Sequence, residues 1–193
     1  LVAIGAAVFT LGYSTMQRFP NAWIYAIIVF FLVLGTYNFH RLIKAPRTVN
    51  PSSWLVWVNS NRRYLWILSF TSFILGGALF VIYIPITLSM ILLFSGVVFL
   101  SVWYVVPLVK IPLRDVPFIK TMVIALVWTT VMIGITTNEH IWPFFFGGLL
   151  FIYGITIPFD VRDIKYDESE KRTLPMLIGV RWSKGVAFCS VLL

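Results

Sequence analysis

The chain has 193 residues, 60% of them hydrophobic and only 11% charged, and its mean hydropathy is +0.92. Soluble chains carry about 25% charged residues, so a water-soluble globular domain is excluded and lipid is the solvent that suits this composition. The net charge of +8 does not signal nucleic acid, because the basic residues fall between apolar runs, where membrane topology puts them, and form no single stripe. The one cysteine, Cys189, excludes an intramolecular disulfide.

In chain order the apolar segments read as helices, since a bilayer offers no water to satisfy open backbone groups. The first covers residues 2–16 and is broken by Arg18, Pro20 and Asn21; the second covers 22–38. A basic connection follows, with Arg41, Lys44, Arg47, Arg62 and Arg63. Within it, Trp54-Leu55-Val56-Trp57 predicts a segment lying at the interface, where tryptophan is favoured. The third span is 64–83, and Pro85 marks a tight turn into the fourth, 86–109. A short loop with Lys110, Pro112, Arg114 and Asp115 leads to the fifth, 117–136, and Asn138, Glu139 and His140 form the next turn. The sixth span is 141–158. A charged segment, 160–184, precedes a seventh apolar run that begins at Val186. The expected fold is an all-α polytopic transmembrane helix bundle of about seven visible spans, in a single domain over 1–193. The chain starts and stops inside apolar runs, so it reads as part of a longer protein, truncated at both ends.

Lysine and arginine set the orientation. With the N-terminus inside, three loops face the cytoplasm and carry nearly all the positive charge. The first holds Arg41, Lys44, Arg47, Arg62 and Arg63; the second holds Lys110, Arg114 and Lys120; the third holds Arg162, Lys165, Lys171, Arg172, Arg181 and Lys184. Only Arg18 falls on the other side, as the positive-inside rule requires of a multi-pass protein of the cell membrane. No Asp, Glu, Lys, Arg or His lies between Tyr64 and Val109, which argues against a transporter.

Five of the seven acidic residues lie in residues 160–170. Asp160, Asp163 and Asp167 are spaced i, i+3, i+7, which on a helix at about 100° per residue places them within about 60° of one another. Carboxylates on one face repel unless a cation sits among them. Mg2+ takes oxygen ligands and completes its shell with phosphate and water. Lys171, at i+11, returns to the same face if the helix persists and would hold a phosphate as a point charge. The alternative is a solvated amphipathic helix of mixed charge. The position of Asp160 directly after an apolar span puts a metal-phosphate site on an equal footing with that alternative, because acids beside lipid are rare and mark function.

Asp160-x-x-Asp163-x-x-x-Asp167, followed by Lys171-Arg172-Thr173-Leu174-Pro175 and Gly179, resembles the second aspartate-rich motif of the UbiA superfamily of intramembrane prenyltransferases. The resemblance implies a nine-helix fold, of which this chain covers about the first two-thirds. It also implies an activity: an isoprenyl diphosphate is bound through Mg2+, ionised, and its isoprenyl group passed to an aromatic or lipid acceptor. On this resemblance Asp160, Asp163 and Asp167 are the metal-binding and catalytic residues. Lys171, Arg172, Arg41, Lys44 and Asn38 are diphosphate-binding candidates. Phe144, Phe145, Phe146, Phe151 and Tyr153 are candidate linings for an allylic cation, since aromatic faces attract cations.

The family's first motif is degenerate here. Asn38 is in place, but Phe39, Leu42 and Pro46 stand where aspartates belong, with His40, Arg41 and Lys44 among them. Two readings follow. In one, Arg41 and Lys44 neutralise the diphosphate in place of a second metal. In the other, the chain is a nonenzymatic homologue or lipid-binding subunit with the same fold.

Overall fold

A computed structural model describes residues 1–45, 53–108, 110–116, 119–135, 141–164 and 173–192, without the side chains of Ile141 and Asp163. Every regular element among them is helical: α1 Val2–Met16, α2 Ala22–Lys44, α3 Ser53–Ser60, α4 Arg62–Tyr83, α5 Leu88–Val105, a 3-10 turn Leu113–Asp115, α6 Ile119–Gly134, α7 Ile141–Asp163, α8 Leu174–Ile178 and α9 Val180–Leu192. Four of them, α2, α4, α5 and α7, are long and apolar enough to cross a membrane. The apolar helices α1 and α6, with 15 and 16 residues, fall short of the about 20 that a full crossing takes. The protein is all-α, with several helices suited to a membrane.

The residues form two compact units, 1–95 with 131–136, and 96–130 with 137–193. In the first unit, α2 packs against α1 and α4. Helix α1 buries Ala3, Ala6, Thr10, Tyr13 and Ser14, a face of mostly small side chains that lets helix backbones approach closely. Between α2 and α4 the same logic rests on glycine. A Cβ on Gly35 would stand 2.9 Å from the Phe73 ring, and one on Gly76 would stand 3.1 Å from Leu32 and Phe31. The segment expected at the interface is the short helix α3. Leu55 and Val58 point inward to Leu42, Ala45 and Leu65, while Trp54, Val56 and Trp57 are exposed. Trp54 and Trp57 stack with ring centroids 5.0 Å apart.

In the second unit, Leu113, Val123 and Val127 form one core with Val97, Leu100, Trp103, Tyr104 and Trp128. A second core joins α7, α8 and α9 through Ile157, Leu174 and Ala187, with Tyr153, Val161 and Ile178 against it. Gly154 permits that approach, for a Cβ there would lie 2.8 Å from the Ala187 carbonyl oxygen. The chain turns from α8 into α9 at Gly179, whose φ of +82° disfavours any side chain.

The largest differences from the expected helix limits are at three places. Helix α2 continues past Asn38 to Lys44, because Arg41, Leu42 and Lys44 are good helix formers and Leu42 is drawn into the core. Helix α7 runs through Pro158 to Asp163; membrane helices tolerate an internal proline where neighbours support the freed backbone. Helix α9 begins at Val180 and includes Arg181 and Lys184, which the sequence reading left in the charged segment.

Candidate functional site

The last turn of α7 carries Asp160, and the first turn of α6 carries Lys120 and Thr121. These two turns meet. The Lys120 Nζ lies 2.6 Å from Asp160 Oδ1, and the Thr121 hydroxyl donates to Asp160 Oδ2 at 3.1 Å. Asp160 is 2% exposed and Thr121 3%. Tyr104, at the end of α5, lies within electrostatic reach of both Lys120 and Asp160.

The sequence holds Asp160 in place from two sides. Its chain neighbours Phe159 and Val161 part company: Phe159 is exposed, while Val161 joins the apolar core with Ile157 and Leu174. The stretch after the acidic segment turns back onto α7, with Thr173, Leu174 and Pro175 all buried. Pro175 sits in the first turn of α8, where a missing N–H costs nothing.

Helix polarity makes this ion pair unusual. A helix N-terminus carries partial positive charge and disfavours a cation, and a C-terminus disfavours an anion. Lys120 is at the N-terminal turn of α6 and Asp160 at the C-terminal turn of α7. Each charge therefore occupies the helix end that repels it, at a cost of about 0.3–1 kcal/mol apiece. Burial adds to that cost, because a buried ion pair regains its desolvation only with good geometry and further hydrogen bonds. The short contact and the Thr121 hydroxyl supply them.

Of the residues singled out in the sequence, Asp160 has an ion pair and a hydrogen bond to a neighbouring helix. Asp163 follows it on α7; its side chain, and all of Asp167, Lys171 and Arg172, lie outside the described residues. Asn38, Arg41 and Lys44 are on α2 in the first unit. The Asn38 amide donates to the Leu34 carbonyl of its own helix at 2.9 Å. The Arg41 guanidinium lies over the Tyr37 ring at 4.0 Å and the Trp54 ring at 4.2 Å, and it donates to the Tyr37 hydroxyl. Leu42, at a position where the family's first motif has aspartate, is fully buried in an apolar core. Among the aromatic candidates, Phe146 and Phe151 are exposed, Phe144 and Phe145 are half-buried, and Tyr153 packs on the core of α7, α8 and α9.

Sequence reasoning missed Lys120 and Thr121 as site residues, since Lys120 was counted only as a charge that sets orientation. The signal was present. Lys120 falls inside the expected fifth span, 117–136, where an ionisable residue marks function by default.

The two oxygens of Asp160 each accept one contact, and a carboxylate offers about four lone-pair directions. Asp160 therefore fits as an oxygen ligand for Mg2+, although Lys120 already balances its charge. Among the described residues no three His, Cys, Asp or Glu side chains gather at one point. No protein-family model, curated protein or solved structure matches the chain.

Proposed function

We propose that this protein is an integral membrane prenyltransferase of the UbiA type. It moves an isoprenyl group from an isoprenyl diphosphate to an aromatic or lipid acceptor. The observation that carries this reading is Asp160, the first residue of the motif. It is held buried at the end of a span-length helix by a lysine and a threonine, in a position that helix electrostatics alone would not select. The carbon–oxygen bond of the allylic diphosphate breaks, and the diphosphate leaves with the electron pair. The acceptor bonds to the allylic carbon and gives up a proton. Asp160, Asp163 and Asp167 would hold Mg2+, which when bound offsets charge on the departing diphosphate. Lys171 and Arg172, next to the motif, would bind phosphate oxygens. The charge distribution supports a cell-membrane protein with this motif on the cytoplasmic side.

A second reading, a nonenzymatic homologue or lipid-binding subunit, draws support from Leu42. Leu42 stands at a first-motif position where the family has aspartate, and it is buried in an apolar core that offers a metal no ligand. The test is incubation of the purified full-length protein with isoprenyl diphosphates of several lengths and with aromatic and lipid acceptors, with and without Mg2+, followed by mass spectrometry. A prenylated product that requires Mg2+ supports transfer. No product with any pair, despite measurable diphosphate binding, favours the second reading.

A further inference from the structure

The residue that occupies Asp160 is a lysine, a compact point charge on a flexible four-carbon stem and a common binder of phosphate. The Lys120 side chain is 22% exposed and that of Asp160 only 3%. An anion arriving from solvent thus meets the ammonium before it meets the carboxylate. The pair as a whole is neutral, so while Lys120 stays in place Asp160 offers a cation no net charge. Metal and ammonium on the same carboxylate would also repel each other. The Thr121 hydroxyl holds the other oxygen independently and keeps the carboxylate in position if the lysine leaves.

We propose that Lys120 and a divalent cation are alternative counter-ions of Asp160, and that a diphosphate anion selects between them by drawing the ammonium onto its own oxygens. This deepens the transferase reading and rests on it. In the resting protein Lys120 closes the site to metal. When diphosphate arrives, the lysine changes partners and Asp160 becomes a ligand. Cation and diphosphate then bind as a coupled pair, and linkage requires each to tighten the other by the same factor. Lys120 acts as a positioning residue for the carboxylate and as a contact for the anion.

The test uses the full-length protein in lipid nanodiscs, with Mn2+ followed by electron paramagnetic resonance and inorganic diphosphate as the anion. Wild type should bind Mn2+ weakly alone and more tightly with diphosphate. Lys120→Met should bind Mn2+ without diphosphate about ten- to a hundredfold more tightly than wild type, the worth of one charge-assisted hydrogen bond. It should also bind diphosphate more weakly and show little coupling between the two. Lys120→Arg, which can keep the carboxylate paired, should remain closed to Mn2+ alone. Folded Lys120→Met protein with unchanged Mn2+ affinity would overturn the proposal. So would wild-type protein that binds Mn2+ equally well with and without diphosphate, a result that needs no variant to fold. Coupling without transfer to any acceptor would uphold the competition and refute the transferase; transfer without coupling would do the reverse.

Discussion

The hydroxyl of Ser69 on α4 donates to the carbonyl oxygen of Gly35 on α2 at 2.7 Å, with both residues buried. Gly35 is also the residue whose missing side chain makes room for Phe73, so one α2 position supplies both an acceptor and a gap. Hydrogen bonds between membrane helices average about 0.6 kcal/mol. Ser69→Ala should destabilise the purified protein by about that amount in a denaturant titration followed by circular dichroism. Ser72→Ala should cost less, because the Ser72 hydroxyl bonds only to the Leu68 carbonyl of its own helix. An equal or larger loss at Ser72 would contradict the assignment.

Gly154→Ala should be among the more damaging small substitutions. Its Cβ would stand 2.7 Å from Val191 Cγ2 and 2.8 Å from the Ala187 carbonyl oxygen, and the second of these is backbone that cannot swing aside. Overpacking of this kind costs about 1–3 kcal/mol. Gly147→Ala on the same helix meets nothing within 4 Å and should be neutral or slightly stabilising. Thermal unfolding of the two variants side by side gives the comparison.

Lys120→Met takes the ion-pair partner from the buried Asp160 carboxylate and should cost about 3–5 kcal/mol; Asp160→Leu acts on a lysine that is 22% exposed and should cost less. The double variant should recover much of that loss, since apolar pairs often replace buried ion pairs without penalty. A double-mutant cycle on unfolding free energies measures the coupling. Additive losses would mean that the two side chains do not act as a pair.

Arg41 joins α2 to α3. Its guanidinium lies between the Tyr37 and Trp54 rings, an arrangement worth about 0.5–2 kcal/mol. Arg41→Lys keeps the charge and loses the planar stacking. It should raise amide hydrogen exchange in α3. Arg41→Ala, which loses both charge and stacking, should raise exchange at least as much. Unchanged exchange in both variants would mean that the stacking does not hold α3.

Orientation is checked with Glu168→Cys in a Cys189→Ala background. An impermeant maleimide should label it only after the cells are opened, because the positive charges around residues 162–184 favour the cytoplasm. Labelling of intact cells would reverse the topology.

The apolar runs were legible as helices because composition leaves the backbone no other way to satisfy itself in lipid. Helix ends were less legible. The sixth span reads as ending at Pro158, where apolar residues give way to Asp160, yet α7 continues for five residues and carries Asp160 in its last turn. The spacing of Asp160, Asp163 and Asp167 drew attention to the right end of α7, but spacing within one segment says nothing about a partner 39 residues away. Lys120 was visible only as a charge, since its pairing depends on how two helices meet. Arg41 was likewise visible as a cation near Asn38, whereas its seat between Tyr37 and Trp54 depends on the α3 fold.

Pro158 also bears on how the candidate carboxylate is kept in register. Having no N–H, it cannot close the ladder to the Gly154 carbonyl, so α7 lacks one rung two residues before Asp160. A helix bends most cheaply where a rung is missing. The final turn is therefore braced from outside, by Leu174 against Ile157 and Val161 on one side and by the Lys120 and Thr121 contacts on another. Control over the angle of Asp160 thereby passes from its own helix to the Thr173-Leu174-Pro175 stretch. A methyl group trimmed from Leu174, well away from any charge, becomes a way to retune the acid.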